Sequence, residues 1–150
     1  MLTRHAGREL VLQALFNLDF RGEKNITPES IFQNIFKSFY IEESGSGDAD
    51  DFAKKLFNGV LENQENIDKE LSKSTTDWGL DKTSIIDRNI LRIGYFEMFF
   101  LDDIPAKVAI NEAIELSKTF GQKNSHKFIS GVLGNIYEIS GLKNKDSKKK

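Results

Sequence analysis

The chain has no cysteine, two histidines and two prolines in 150 residues. Without cysteine there is no disulfide, no thiolate metal site and no cysteine nucleophile. The two histidines, His5 and His126, are far apart in sequence, which argues against a histidine-rich metal site. Long apolar runs are also missing. Each is broken by Asp, Arg or Glu before it could span a bilayer, so no membrane segment is expected. The opening residues carry charge where a secretory leader would be apolar, and a cytoplasmic setting is the default expectation. Net charge is only −2, which speaks against a general nucleic-acid binder. Its distribution is uneven, however. The last ten residues hold five lysines against one aspartate, whereas acid gathers at Glu42, Glu43, Asp48, Asp50 and Asp51. Any RNA site must be a local patch.

With 39% hydrophobic and 29% charged residues, the composition is that of one globular domain able to bury a core of its own. Helical spacing dominates between breakers. Leu10, Val11, Ala14, Leu15 and Leu18 make the stripe of a first helix over about 3–20, ended at Gly22. Thr27-Pro28 suits an N-cap and first turn for a second helix through Phe39. A polar loop at 42–47, the expected mobile point, precedes a third helix capped by Asp48, with Phe52, Leu56, Val60, Ile67 and Leu71 inward. Residues 74–81, around Trp78, read as an irregular or short helical connection. Ile85 to Leu101 is apolar nearly all round and predicts a buried central helix. Two more helices follow, at about 105–120 and 125–140, with Gly121 and Gly141 as stops. The expected class is all-α, one domain over 1–141, with a disordered lysine tail over 142–150.

Catalytic signals are thin. Glu112 and Glu115 share a helix face, but carboxylates near a helix start more often answer its dipole than do acid–base chemistry. Asp48 to Asp51 departs from a calcium loop in its glycine and final glutamate. Ser125 and His126 are sequence neighbours and do not face each other on a helix. No enzyme and no cofactor are expected. Binding signals are stronger. Arg4 and Arg8 lie one turn apart at a helix start, with His5 alongside, a combination suited to phosphate, although pairing with a carboxylate is the plainer reading of Arg8. Lys123, Asn124, Lys127 and Phe128, at the turn into the last helix, combine cations and an amide with a ring able to stack a base. Core packing is the commoner fate of such a phenylalanine.

Residues 103–118, DIPAKVAINEAIELSK, continuing through Phe120-Gly121 and Ser125-His126-Lys127-Phe128-Ile129-Ser130-Gly131-Val132-Leu133, resemble the NusB transcription antitermination factors. Ile90 to Glu97 fits that family's central helix, and Arg8-Glu9 with Gln13 to Phe16 its first. The resemblance implies a bundle of about seven helices that binds boxA RNA of nascent ribosomal transcripts. It does so with the small-subunit ribosomal protein NusE, inside an RNA polymerase antitermination complex that includes NusA and NusG. It further implies RNA contacts at Arg4, His5, Arg8 and the turn Lys123 to Phe128, and partner contacts at Phe16, Phe20 and Asp87. Homodimerisation of the free protein is compatible with it. Three positions depart from the family pattern. The N-terminal arginines are sparse, Ser130 replaces an asparagine, and Gly134 replaces an acid. Sparse arginines predict weak binding by the protein alone, with the partner supplying the remainder. Two other readings compete. One is a protein–protein adaptor or homodimer with a weak RNA surface. The other is a relative of the RNA-binding domain of ribosomal RNA cytosine methyltransferases, against which stands the lack of room for a cofactor-binding sheet.

Overall fold

The computed structural model describes residues 3–22, 27–39, 47–75, 79–142 and 146. Among them are six α-helices and no strand: α1 (Arg4–Arg21), α2 (Pro28–Phe39), α3 (Asp48–Ser72), α4 (Ile85–Phe100), α5 (Ala106–Phe120) and α6 (Ser125–Ser140), with a 3₁₀ turn at Leu80–Lys82. Leu142 and Asp146 are also helical. The expected loop at 42–46, Trp78 and the five tail lysines lie outside the described residues.

Local side-chain caps begin three of the six helices. Thr3 accepts the Ala6 N–H at 3.0 Å and begins α1. Thr27 accepts the Ser30 N–H at 3.1 Å ahead of Pro28. Ser84 accepts the Asp87 N–H at 3.1 Å and begins α4. Asp48 departs from expectation. Gly47 holds the cap position of α3 without a side-chain bond, while the Asp48 carboxylate turns to Arg4. Arg4 is a stronger partner for a carboxylate than a neutral N–H.

α4 is the axis of the bundle, packed against α1, α3, α5 and α6. Its Ile90, Leu91, Ile93 and Met98 are fully buried, meeting Leu15 of α1, Leu56 of α3, Leu116 of α5 and Leu133 of α6 in one core. α1 runs antiparallel to α4: Asp19 near its end bonds Arg88 and Asn89, and Arg8 near its start bonds Glu97. At the first of these ends Arg92 is clamped by Asp68 of α3 through two bonds of 2.8 Å, and also reaches Asp19 at 3.0 Å. Burial works against ionisation of Asp19, but Arg88 and Arg92 overcome it and hold its carboxyl below the ordinary range.

α5 begins after Pro105, which has no side chain able to cap it. Asp146 supplies the cap from forty residues away, accepting the Ala106 N–H at 2.7 Å and the Lys107 N–H at 3.2 Å. It is buried there, and Leu142 joins the core beside it. Asp146→Ala is expected to cost about 1 kcal/mol, the usual worth of a helix cap. On a chain of this length that is a fall in melting temperature of about 2–4 °C by circular dichroism. An unchanged melt would mean that water caps α5 equally well.

Candidate nucleic-acid interface

The seven residues expected to face RNA fall into two groups at opposite ends of the bundle. On α4, Asp87 touches the start of α6 and Glu97 touches Arg8. Ten residues of helix therefore separate the two levels, about 15 Å.

At the first end the cations are already engaged. Arg8 is 4% exposed and corrects the expectation of a phosphate ligand. Its Nε and Nη2 donate to Glu97 at 2.9 and 2.7 Å, its Nη1 lies 3.3 Å from Glu112, and its guanidinium covers the Phe52 ring at 4.8 Å. A guanidinium so placed cannot reach a phosphate without unfolding the surroundings. Burial pushes the Glu97 carboxyl above its ordinary range, against the pull of Arg8. Arg4 is half-buried over the other contact of Phe52, at 4.7 Å, and donates to Asp48 at 2.8 and 3.0 Å and to Asp103 at 3.4 Å. The Asp48 hydrogen bond pushes the Arg4 guanidinium further up and holds the Asp48 carboxyl down. His5 bonds Glu112 at 3.1 Å and lies 3.8 Å from Glu9. Glu112 is therefore an ion-pair partner for α1, and Glu115 sits apart on the surface near Lys118.

The second end is built differently. Gly121 ends α5, and a short turn leads into α6, so that Lys123, Asn124 and Lys127 project as exposed side chains. None of the three has a side-chain bond or ion pair among the described residues. Phe128 is half-buried. One side packs on the core, as its place on the stripe requires, and the rest lines an open pocket. The pocket is closed opposite by Lys82, Thr83, Ser84 and Asp87, which lead into α4. Lys82 had no signal in the sequence, because one lysine beside an aspartate in a short connection has no periodicity to mark it. Its exposed ammonium is likewise without an ion pair among the described residues. Two free cations, Lys82 and Lys123, an amide and a partly exposed ring thus line one cavity together with Asp87, and Lys127 is exposed beside it on the first turn of α6. The group can hold phosphate oxygens and stack a base.

The residues expected to face a protein partner lie at this same end. Phe16 and Phe20 stack in parallel, centroids 5.7 Å apart, and Phe20 is 69% exposed. Phe16 is half-buried beneath it, and a stacked ring pair with one exposed member is what a protein interface core uses. Asp87 stands beside Arg88, which holds the end of α1, but its carboxylate faces the start of α6.

The described residues contain no group of three side chains that could hold a metal, and no helix among them is long and apolar enough to cross a membrane. Comparison with known proteins finds a match of residues 5–138 to the model of the NusB family. The transcription antitermination protein NusB of Bacillus licheniformis is 43% identical over 135 residues, covering 90% of this chain and 96% of that protein. Its namesake from Bacillus cereus is 38% identical, with 90% and 97% covered. Among solved structures, T. maritima NusB superposes with a TM-score of 0.84 at 34% identity, over 97% of this chain and 98% of that one. A crystal structure of antitermination factors NusB and NusE in complex with dsRNA matches at a TM-score of 0.78 and 28% identity, over 90% and 96%.

Proposed function

The chain belongs to the NusB family, and from that premise we propose that it is a transcription antitermination factor. In this reading it binds boxA-type RNA of nascent ribosomal transcripts together with NusE. The pair acts within a cytoplasmic RNA polymerase complex that includes NusA and NusG, and the chain works by binding, not by catalysis. The observation that carries the RNA reading is the pocket between the start of α4 and the turn into α6, lined by Lys82 and Lys123 with Lys127 exposed beside it, none of the three in an ion pair among the described residues. These lysines hold phosphates, while Asn124 and Phe128 contact bases. Arg4 and His5 contribute less, because an RNA reaching them competes with Asp48, Asp103 and Glu112. Phe16 and Phe20 form the NusE face at the same end, so that partner and pocket can present a continuous surface to one RNA.

Fluorescence anisotropy with labelled boxA RNA and a scrambled control tests this, with and without NusE and at two salt concentrations. Three phosphate contacts on single-stranded RNA predict a log–log salt slope of about −2 for the chain alone. Lys123→Ala with Lys127→Ala should bring it to about −0.7. Tight, sequence-dependent binding should need NusE. Equal binding of both RNAs with no effect of NusE would reduce the protein to an adaptor with a nonspecific cationic surface.

A further inference from the structure

The start of α4 has the sequence of a capping box that is only half made. Ser84 caps the Asp87 N–H, and in the full motif the acid three residues on would accept the N–H of the cap residue in return. The Asp87 carboxylate does not. Its Oδ2 accepts the Ser125 hydroxyl at 3.2 Å, and its Oδ1 is buried without a partner. The same Ser125 oxygen accepts the Gln122 N–H at 2.8 Å. Ser125 is 4% exposed and sits tight against Gly121, where a Cβ would come within 2.7 Å of the Ser125 Cβ and Oγ. One buried hydroxyl therefore closes the turn that carries Lys123 and Asn124 and fastens it to the start of α4, directly after the 3₁₀ turn that carries Lys82.

We propose that Asp87 and Ser125 are positioning residues for RNA recognition. Their hydrogen bond fixes the register between the two walls of the pocket, Lys82 on one and Lys123 and Asn124 on the other. The inference rests on the reading that this pocket binds RNA. A turn held in place before binding has less freedom to lose when RNA arrives. Charge argues against a simpler role for Asp87, since a carboxylate inside a phosphate-binding pocket opposes its ligand. Position and charge thus act in opposite directions on affinity, and two substitutions separate them. Asp87→Asn keeps an acceptor for Ser125 and removes the charge. Asp87→Ala removes both.

The test is anisotropy of the labelled boxA-type RNA and its scrambled control on the full chain, with and without NusE, for S125A, D87A, D87N, S125A/D87A and K123A/K127A. Circular dichroism melts show that each variant is folded at the assay temperature. S125A and D87A should each weaken boxA binding by roughly 3- to 10-fold, the worth of one hydrogen bond. The salt slope should stay unchanged, because no phosphate contact is lost. The double variant should be no weaker than either single one, and D87N should bind RNA alone as tightly as the unaltered chain or tighter. S125A is read alone if D87A melts too early. If K123A/K127A weakens binding but S125A does not, or if S125A and D87A add independently, the tie is overturned and the RNA pocket stands. If K123A/K127A leaves RNA binding unchanged, the pocket reading fails and the inference with it. A loss for D87A and D87N alike, seen only with NusE, would make Asp87 a partner contact and overturn the positioning role.

Discussion

Arg8→Ala is expected to lower the melting temperature by roughly 6–20 °C, and to do so with or without RNA present. The Arg8–Glu97 pair is buried on both sides, with Glu97 side-chain exposure at 1%. Removing one member leaves the other charge uncompensated in the core, which costs about 3–5 kcal/mol. At this chain length each kcal/mol shifts the melt by about 2–4 °C. Glu97→Ala should do the same from the other side. Arg8→Met with Glu97→Leu should recover most of the loss, since an apolar pair avoids the desolvation cost. Burial raises the Glu97 carboxyl above its ordinary range. Its contribution to stability is therefore complete below the unfolded value and falls as pH rises through the folded one. An Arg8→Ala protein that keeps its melting temperature but binds RNA more weakly would restore Arg8 to the RNA surface.

Gly59→Ala should also destabilise the domain, by about 1–3 kcal/mol net, the range of overpacking in a filled core. Helix propensity alone predicts the reverse, a gain of about 1 kcal/mol. The decisive contact is with Phe96 of α4, whose ring lies directly over the α3 backbone at Gly59, where any added Cβ would overlap it. Phe96 is buried and stacks on Phe100 with centroids 4.8 Å apart, so it cannot swing aside freely. Phe96→Leu in the same chain should return part of the loss, and the double-mutant cycle read by chemical denaturation measures the coupling. Gly94→Ala is the internal comparison. The nearest atom there is a terminal methyl of Leu133, which can shift. Equal effects at the two glycines would mean that the Phe96 contact is not what makes Gly59 necessary.

The proposed RNA-binding end bears on how the chain would cooperate with its partner. The arginine end is neutralised by Asp48, Asp103, Glu97 and Glu112, whereas Lys82, Lys123 and Lys127 around the pocket have no ion pair among the described residues. Three exposed lysines give modest, salt-sensitive affinity. In the proposed reading, the Phe16–Phe20 pair at the same end would let NusE add its own contacts without a long RNA path between the two proteins.

The sequence by itself determined the helices. Thr3, Thr27-Pro28, Ser84 and Gly141 are local punctuation, and the apolar stripes repeat at the helical period, so neighbours along the chain are sufficient to specify each segment. The run from Ile85, apolar nearly all round, also determined which helix is central, because almost no polar face was left for water. The run of residues from Asp103 to Leu133 pointed to the family. What neighbours along the chain cannot specify is which charge meets which. Arg4 and Arg8 have the spacing of an exposed phosphate-binding pair, and only the approach of Glu97, eighty-nine residues later, turns Arg8 into a buried strut. Glu97, an acid in the apolar second half of α4, is the partner that buries it, and its distance along the chain hides the pairing. Lys82 left no clue along the chain, and neither did the cap that Asp146 lends to α5. The two arginines and the α6 turn look like parts of one surface in the sequence. The antiparallel packing of α1 on α4 sets them a bundle's length apart, because long-range pairing energies depend on distance in space and the sequence records only distance along the chain.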